Sequence, residues 1–154
     1  MRYQYFIIAI AILTGCNQKN SNVYPTSREV TINTDSTRVF AQFLIKPIKV
    51  TINNDLRYYW YYTDKINSNV GGYNGNLLNG TYRVLSKENR LMEQGTFANG
   101  LKDGIWKYWY SNGNLQRIEI WKKGLIKGVP TEYSYNGEVI SLTEASEIEI
   151  TSPL

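Results

Sequence analysis

Three glycines, Gly80, Gly104 and Gly128, stand 24 residues apart, and the residues between them keep the same ruler. Phe97 and Trp121 match across one period, as do Gly100 and Gly124. Leu91, Leu115 and Val139 fall in one column, and Leu85, Trp109 and Tyr133 in another. A fixed period of this length marks a stacked array, in which each unit buries its apolar side only against its neighbours. Such a chain is read as an array of units and not as an enzyme built around one deep pocket.

Within a period, Trp106-Lys-Tyr-Trp-Tyr110 is followed by Ser111-Asn-Gly-Asn114 and then by Leu115 to Trp121, which reads as strand, tight turn, strand. The pair Asn-Gly recurs, beginning at Asn74, Asn79, Asn99, Asn112 and Asn136, and it is the strongest short hairpin signal because type I′ turns need positive φ at both central residues. The expected fold is all-β: an antiparallel meander of stacked hairpin repeats whose neighbours pair in sequence order. Trp106 and Trp109, three residues apart, break strict alternation, so their rings either face opposite sides of the sheet or flank a bulge. With 13 Tyr and 4 Trp, aromatic rings are expected on both faces.

The unit resembles the bacterial variant of the MORN (membrane occupation and recognition nexus) repeat, which reads roughly Gly-x-Trp-x-x-Tyr, a glycine turn, a Leu and a closing aromatic. The best copy is Gly104, Trp106, Trp109, Asn112-Gly113, Leu115, Trp121, Gly124 and Gly128. The copy before it runs Gly80, Tyr82, Leu85, Asn89, Leu91, Phe97 and Gly100, with Asn89 where later copies have Gly113 and Gly137. Asn tolerates the left-handed backbone almost as well as Gly. The end copies depart: Leu56 replaces the opening Gly before the aromatics Tyr58 to Tyr62, and Pro130 replaces the Trp of the last copy. Atypical end units suit caps. The resemblance covers residues 56–142 and implies a binding or scaffold module, with Tyr82, Trp106, Trp109 and Trp121 as the aromatics available to a partner. Members of this family are often labelled antitoxins, which implies an alternative in which the chain neutralises a toxin.

The N-terminus is of another kind. Arg2 precedes the apolar run Phe6 to Leu13, and Leu13-Thr14-Gly15-Cys16 closes it with small residues before the chain's one cysteine. This is similar to a bacterial lipoprotein signal peptide with its lipobox, Leu13, Thr14 and Gly15, and implies removal of residues 1–15 and lipidation of Cys16. The run falls well short of the roughly 20 residues that span a bilayer. Two or more acyl chains anchor stably, so membrane attachment needs nothing else. Asn17 stands where an Asp retains similar lipoproteins in the inner membrane, so the resemblance implies an outer-membrane anchor facing the periplasm. Residues 16–28 are polar and read as a tether. Residues 29–55 hold three β-rich runs, Glu29 to Asn33, Arg38 to Ile45 and Ile48 to Ile52. Residues 143–154, with Glu147-Ile-Glu-Ile150, read as an edge strand or a tail.

Charge narrows the function. The chain carries a formal +4, yet Glu132, Glu138, Glu144, Glu147 and Glu149 follow Gly128 with no basic residue among them. The cationic body includes Lys102, Lys107, Lys122, Lys123 and Lys127, suited to an acidic polymer or anionic head groups, or simply to solvated repeat edges. There is no histidine, and the one cysteine belongs to the lipobox, so Ser-His-Asp and Cys-His chemistry and the usual zinc sets are excluded. No glycine-rich phosphate fingerprint is present, and no cofactor or metal is expected. Carboxylate chemistry from Asp103, Glu119 or Glu132 is what an enzyme would have left, without a spacing that selects a pair. The expected protein is a non-catalytic binding module of the cell envelope, with an envelope protein or a glycan such as peptidoglycan as partner and no nucleic acid.

Overall fold

The computed structural model describes residues 27–46 and 49–140, all of whose regular structure is β. The lipobox, Cys16 and residues 143–154 lie outside them. The strands are β1 (Ser27–Asn33), β2 (Thr37–Leu44), β3 (Arg57–Tyr62), β4 (Lys65–Val70), β5 (Asn76–Ser86), β6 (Leu91–Ala98), β7 (Leu101–Trp109), β8 (Leu115–Lys122), β9 (Leu125–Tyr133) and β10 (Val139–Ile140). From β5 to β10 they form the expected antiparallel meander in sequence order.

The period is visible in the backbone. Register shifts fall at Val84/Leu85 and again at Tyr108/Trp109, and at Gln94/Thr96 and again at Ile118/Ile120, each pair one period apart. Long loops recur at Ser86–Arg90, Tyr110–Asn114 and Ser134–Glu138, each closed by the same two backbone bonds and each with one left-handed residue, Asn89, Gly113 or Gly137. Short turns at Asn99-Gly100 and Lys123-Gly124 have both central residues at positive φ, as type I′ requires. Each short turn is tied to the unit before it by two bonds. Asn99 and Gly100 N–H donate to Asn79 Oδ1 and Leu78 O, and Lys123 and Gly124 N–H donate to Asp103 Oδ1 and Lys102 O. Position 79/103 therefore carries an acceptor side chain in both copies, because a turn amide must be satisfied there.

Two expectations change. The Asn-Gly signal marks a two-residue hairpin only at Asn99; Asn112 and Asn136 sit in the longer loops, and Asn79-Gly80 lies inside β5, where Gly80 at positive φ leaves room for the Gln42 side chain. Pairing also leaves sequence order once: β2 bonds β5, while β3 and β4 form a hairpin whose strand pairing with the main sheet is limited to Trp60 and Tyr61 of β3 against β5. Its turn, Thr63-Asp64, has positive φ at both residues without an Asn-Gly pair. Of the three N-terminal runs, two become β1 and β2, but residues 49–53 form no strand. There Val50 packs against the cluster of Leu44, Tyr58 and Leu77, and Asn53 N–H donates to the Tyr58 hydroxyl at 3.0 Å.

The β3–β4 hairpin supplies the second layer that a lone sheet lacks. Tyr61 stacks on Phe43 at 4.7 Å and Tyr59 meets Phe97 at 5.0 Å, over a core of Ala41, Phe43, Leu78, Phe97 and Trp106. Behind the hairpin, Tyr58 packs with Leu44 and Leu77. Trp106 is fully enclosed: Tyr82 and Phe97 rings lie 5.7 and 4.9 Å away, and its indole N–H donates to Thr96 O. The indole rests on Gly95, where any Cβ would collide with its rings. Gly95→Ala is therefore expected to cost at least about 2 kcal/mol, whereas Gly104→Ala, with open space but φ of +78°, should cost about 1 kcal/mol. Urea unfolding of the two variants checks that order.

Candidate functional site

The strand register sorts side chains onto two faces. The inner face, under the β3–β4 hairpin, takes Leu78, Tyr82, Phe97, Trp106 and Trp121. It is apolar across β2 and β5 but charged across β6 to β8, and the change follows the repeat. Buried Leu78 has Lys102 one period later, Val84 has Tyr108, Gly95 has Glu119, and Glu93 has Arg117. One copy thus places a polar network where its neighbour places core.

The network is closely connected. Lys102 Nζ donates to the Tyr108 hydroxyl at 2.7 Å, and that hydroxyl donates to Glu119 Oε2 at 2.8 Å. Trp121 Nε1 donates to the same oxygen at 2.8 Å. Lys102 also lies 3.6 Å from Glu93 and 3.9 Å from the Trp106 ring centre, a cation–π contact. Arg117 covers the Tyr108 ring at 4.6 Å with Nε 3.2 Å from Glu119 Oε1. That N–H has no hydrogen-bond partner, so the contact is a charge pair whose proton is not aimed at the oxygen.

Burial sets the protonation of these groups. It raises the Glu93 carboxyl and lowers the Lys102 ammonium, in each case outweighing the attraction of the other. Tyr108 is raised by burial and then by its bond to Glu119, so it stays a neutral phenol that passes a hydrogen bond from cation to carboxylate. Burial likewise raises Tyr82 and Tyr59. Two clefts flank Lys102 beneath the hairpin, one of about 250 Å³ bounded by Tyr59, Tyr82 and Glu93, the other of about 300 Å³ bounded by Arg57, Asp55 and Trp121.

The outer face has a different character. Ile105, Ile120 and Val129 are 58%, 54% and 72% exposed, and Lys107, Lys122 and Lys127 stand among them. A shallow groove of about 300 Å³ runs over β6 and β7, floored by Gly95 and walled by Thr96, Ile105, Lys107 and Trp109.

Of the aromatics singled out in the sequence, Tyr82, Trp106 and Trp121 therefore lie on the inner face and only Trp109 lines the outer groove. Both readings of the Trp106/Trp109 spacing hold at once: the rings face opposite ways, and a register shift falls between Tyr108 and Trp109. Among the cations, Lys102 is held inside the network, and Lys123 sits in a turn. The carboxylates are not gathered: Glu119 is inside the network, Glu132 faces Arg117 across β8 and β9, and Asp103 serves the turn amide of Lys123. Among the described residues no cluster of His, Cys, Asp or Glu is disposed to hold a metal. The charged network was not singled out in the sequence, although Lys102 in a column with Leu78 and Ile126 was its signal. Comparison with known protein families, curated proteins and solved structures finds no match.

Removing one member of the network strands the others. Lys102→Leu, which copies the residue one period earlier, is expected to destabilise the fold by about 2–4 kcal/mol because half-buried Glu93 loses its cation and the Tyr108 hydroxyl loses its donor. Adding Glu93→Gln and Glu119→Gln should recover most of the loss, as read by denaturant midpoints.

The native state holds the Glu93 proton more tightly than the unfolded chain does. Its share of stability is full below the ordinary carboxylate range and lost as pH rises through the raised native value. Lys102, lowered in the fold, contributes above the ordinary lysine range and loses that share as pH falls through its native value. Between the two ranges both groups are charged at a desolvation cost. Glu93→Gln should therefore flatten the decline in unfolding free energy from mildly acidic to neutral pH, measured by urea titration across that span.

Proposed function

We propose that this chain is a membrane-anchored, non-catalytic binding or scaffold module of the bacterial cell envelope, held through lipidated Cys16 at the outer membrane and facing the periplasm. The observation that carries the reading is the asymmetry of the sheet. The inner face is covered by the β3–β4 hairpin over β2 and β5 to β7, while among the described residues nothing covers Ile105, Ile120 and Val129 on the outer one. Exposed apolar side chains interspersed with lysines on a rigid sheet suit a partner laid across several strands.

The inner network supports the same reading from the other side. Lys102 already has Tyr108, Glu93 and the Trp106 ring as partners, and Glu119 already accepts from Tyr108 and Trp121. Groups so engaged hold the second unit in shape and are poorly placed to attack a substrate or relay protons to it.

The test is in-cell crosslinking of the full-length protein from a photo-reactive residue replacing Ile120, with Cys16→Ala as the delocalised control. Recovery of one dominant envelope component, lost in the control, is the expected outcome. A toxin among such partners would identify the antitoxin-like case. A correctly lipidated protein that crosslinks to no macromolecule from the outer face would overturn the proposal.

A further inference from the structure

We propose that the outer groove takes a linear acidic polysaccharide, an inference that rests on the binding-module reading and names its ligand class. The repeat supplies the first argument. Arg83 on β5 and Lys107 on β7 are equivalent residues one period apart, both exposed, and the register places both on the outer face with Gln94 between them. Residues paired across the sheet there run Phe40, Arg83, Gln94, Lys107, Ile118, Thr131 in one row. Strands lie about 4.8 Å apart, so the two cations stand about 9–10 Å apart, close to the length of a disaccharide. A polymer with an acid group on at least every second sugar meets a cation at each disaccharide.

The surroundings of the cations favour a sugar chain over charge alone. Thr81, Gln94 and Thr96 present exposed side chains that have no hydrogen-bond partner among the described residues, beside two positive charges. Neutral hydroxyl and amide groups between charges match sugar hydroxyls. Trp109 and Ile105 wall the same groove, offering the apolar surface on which the C–H face of a pyranose lies. Its floor is the backbone of Gly95, where β6 bulges, so a strand of sugars can sink between the side chains.

The electrostatics select the sign. No carboxylate lines the groove, and Asp103 on the same face is held by the amide of Lys123. Arg83 is braced over the Phe40 ring at 5.4 Å, which limits its freedom before an acid group arrives. A carboxylate then receives charge-assisted hydrogen bonds from a cation already in position.

The experiment uses the full-length lipidated protein in neutral detergent, titrated with hexagalacturonate, with maltohexaose as the uncharged control and phosphatidylglycerol vesicles as the anionic membrane control. Calorimetry is expected to show binding of hexagalacturonate that weakens with salt and no binding of maltohexaose. Arg83→Ala combined with Lys107→Ala should lower the affinity at least tenfold with an unchanged melting temperature. Lys49→Ala with Lys65→Ala, two exposed lysines off strands β5 to β9, should leave it within twofold. Absence of hexagalacturonate binding overturns the proposal, as does equal loss from both double variants, which would make the contact non-specific. Vesicle binding that depends on Arg83 and Lys107 while hexagalacturonate does not bind would assign the groove to an anionic membrane instead. If the Ile120 crosslink persists while hexagalacturonate fails to bind, the binding module stands and only its ligand class is lost.

Discussion

The indole of Trp106 lying on the bare α-carbon of Gly95 is the contact around which the fold is arranged. Two neighbouring strands can bring a ring that large against the sheet only where one of them has no side chain, and β6 bulges at that point. With Trp106 seated, Tyr82 and Phe97 close around it, and Tyr59 reaches Phe97 from the covering hairpin. Each aromatic pair adds about 0.5–1.5 kcal/mol beyond its buried area. One line of contact between the covering layer and the sheet thus runs from Tyr59 through Phe97 to Trp106.

The repeat is also marked by hydrogen bonds that recur with the period. Short turns dock on the unit before them through an amide to a side-chain acceptor and an amide to a carbonyl, and the second unit copies the first. The backbone device is therefore conserved between copies while the inner side chains diverge from Leu78, Val84 and Gly95 to Lys102, Tyr108 and Glu119. Identical scaffolding with different fillings is what nearest-neighbour architectures permit, because each unit answers only to its neighbours.

Much of this was legible in the sequence, and the illegible parts have physical reasons. The 24-residue ruler located the strands from β5 to β9 and their loops, because backbone geometry recurs with the same period as the glycines. The β3–β4 hairpin escaped because Tyr58 to Tyr62 carry the aromatics of a repeat, although Leu56, Lys65 and Asn67 stand in its opening-glycine, turn-glycine and Leu columns. Asn-Gly overstated the two-residue turns because the pair also suits a longer loop with a single left-handed residue, as at Gly113 and Gly137. Placement of Tyr82, Trp106, Trp109 and Trp121 on particular faces depended on register shifts that alternation alone does not reveal. The ion-pair network was present as one odd column, Leu78, Lys102, Ile126, but its partners lie on three strands and meet only after folding.

That odd column bears on how a repetitive chain avoids pairing with itself out of step. Copies alike in backbone can in principle dock one unit too early, since the turns and acceptors of each would fit the other. A chain slipped by 24 residues would seat the Lys102 ammonium in the place of Leu78, with Phe43 and Ala41 on the side where Glu93 stood. An unpaired charge in such a seat costs several kcal/mol, comparable to the stability of a small domain. The lysine and its partners act as a key cut for one lock, so that the array has a beginning and an order, as well as a period.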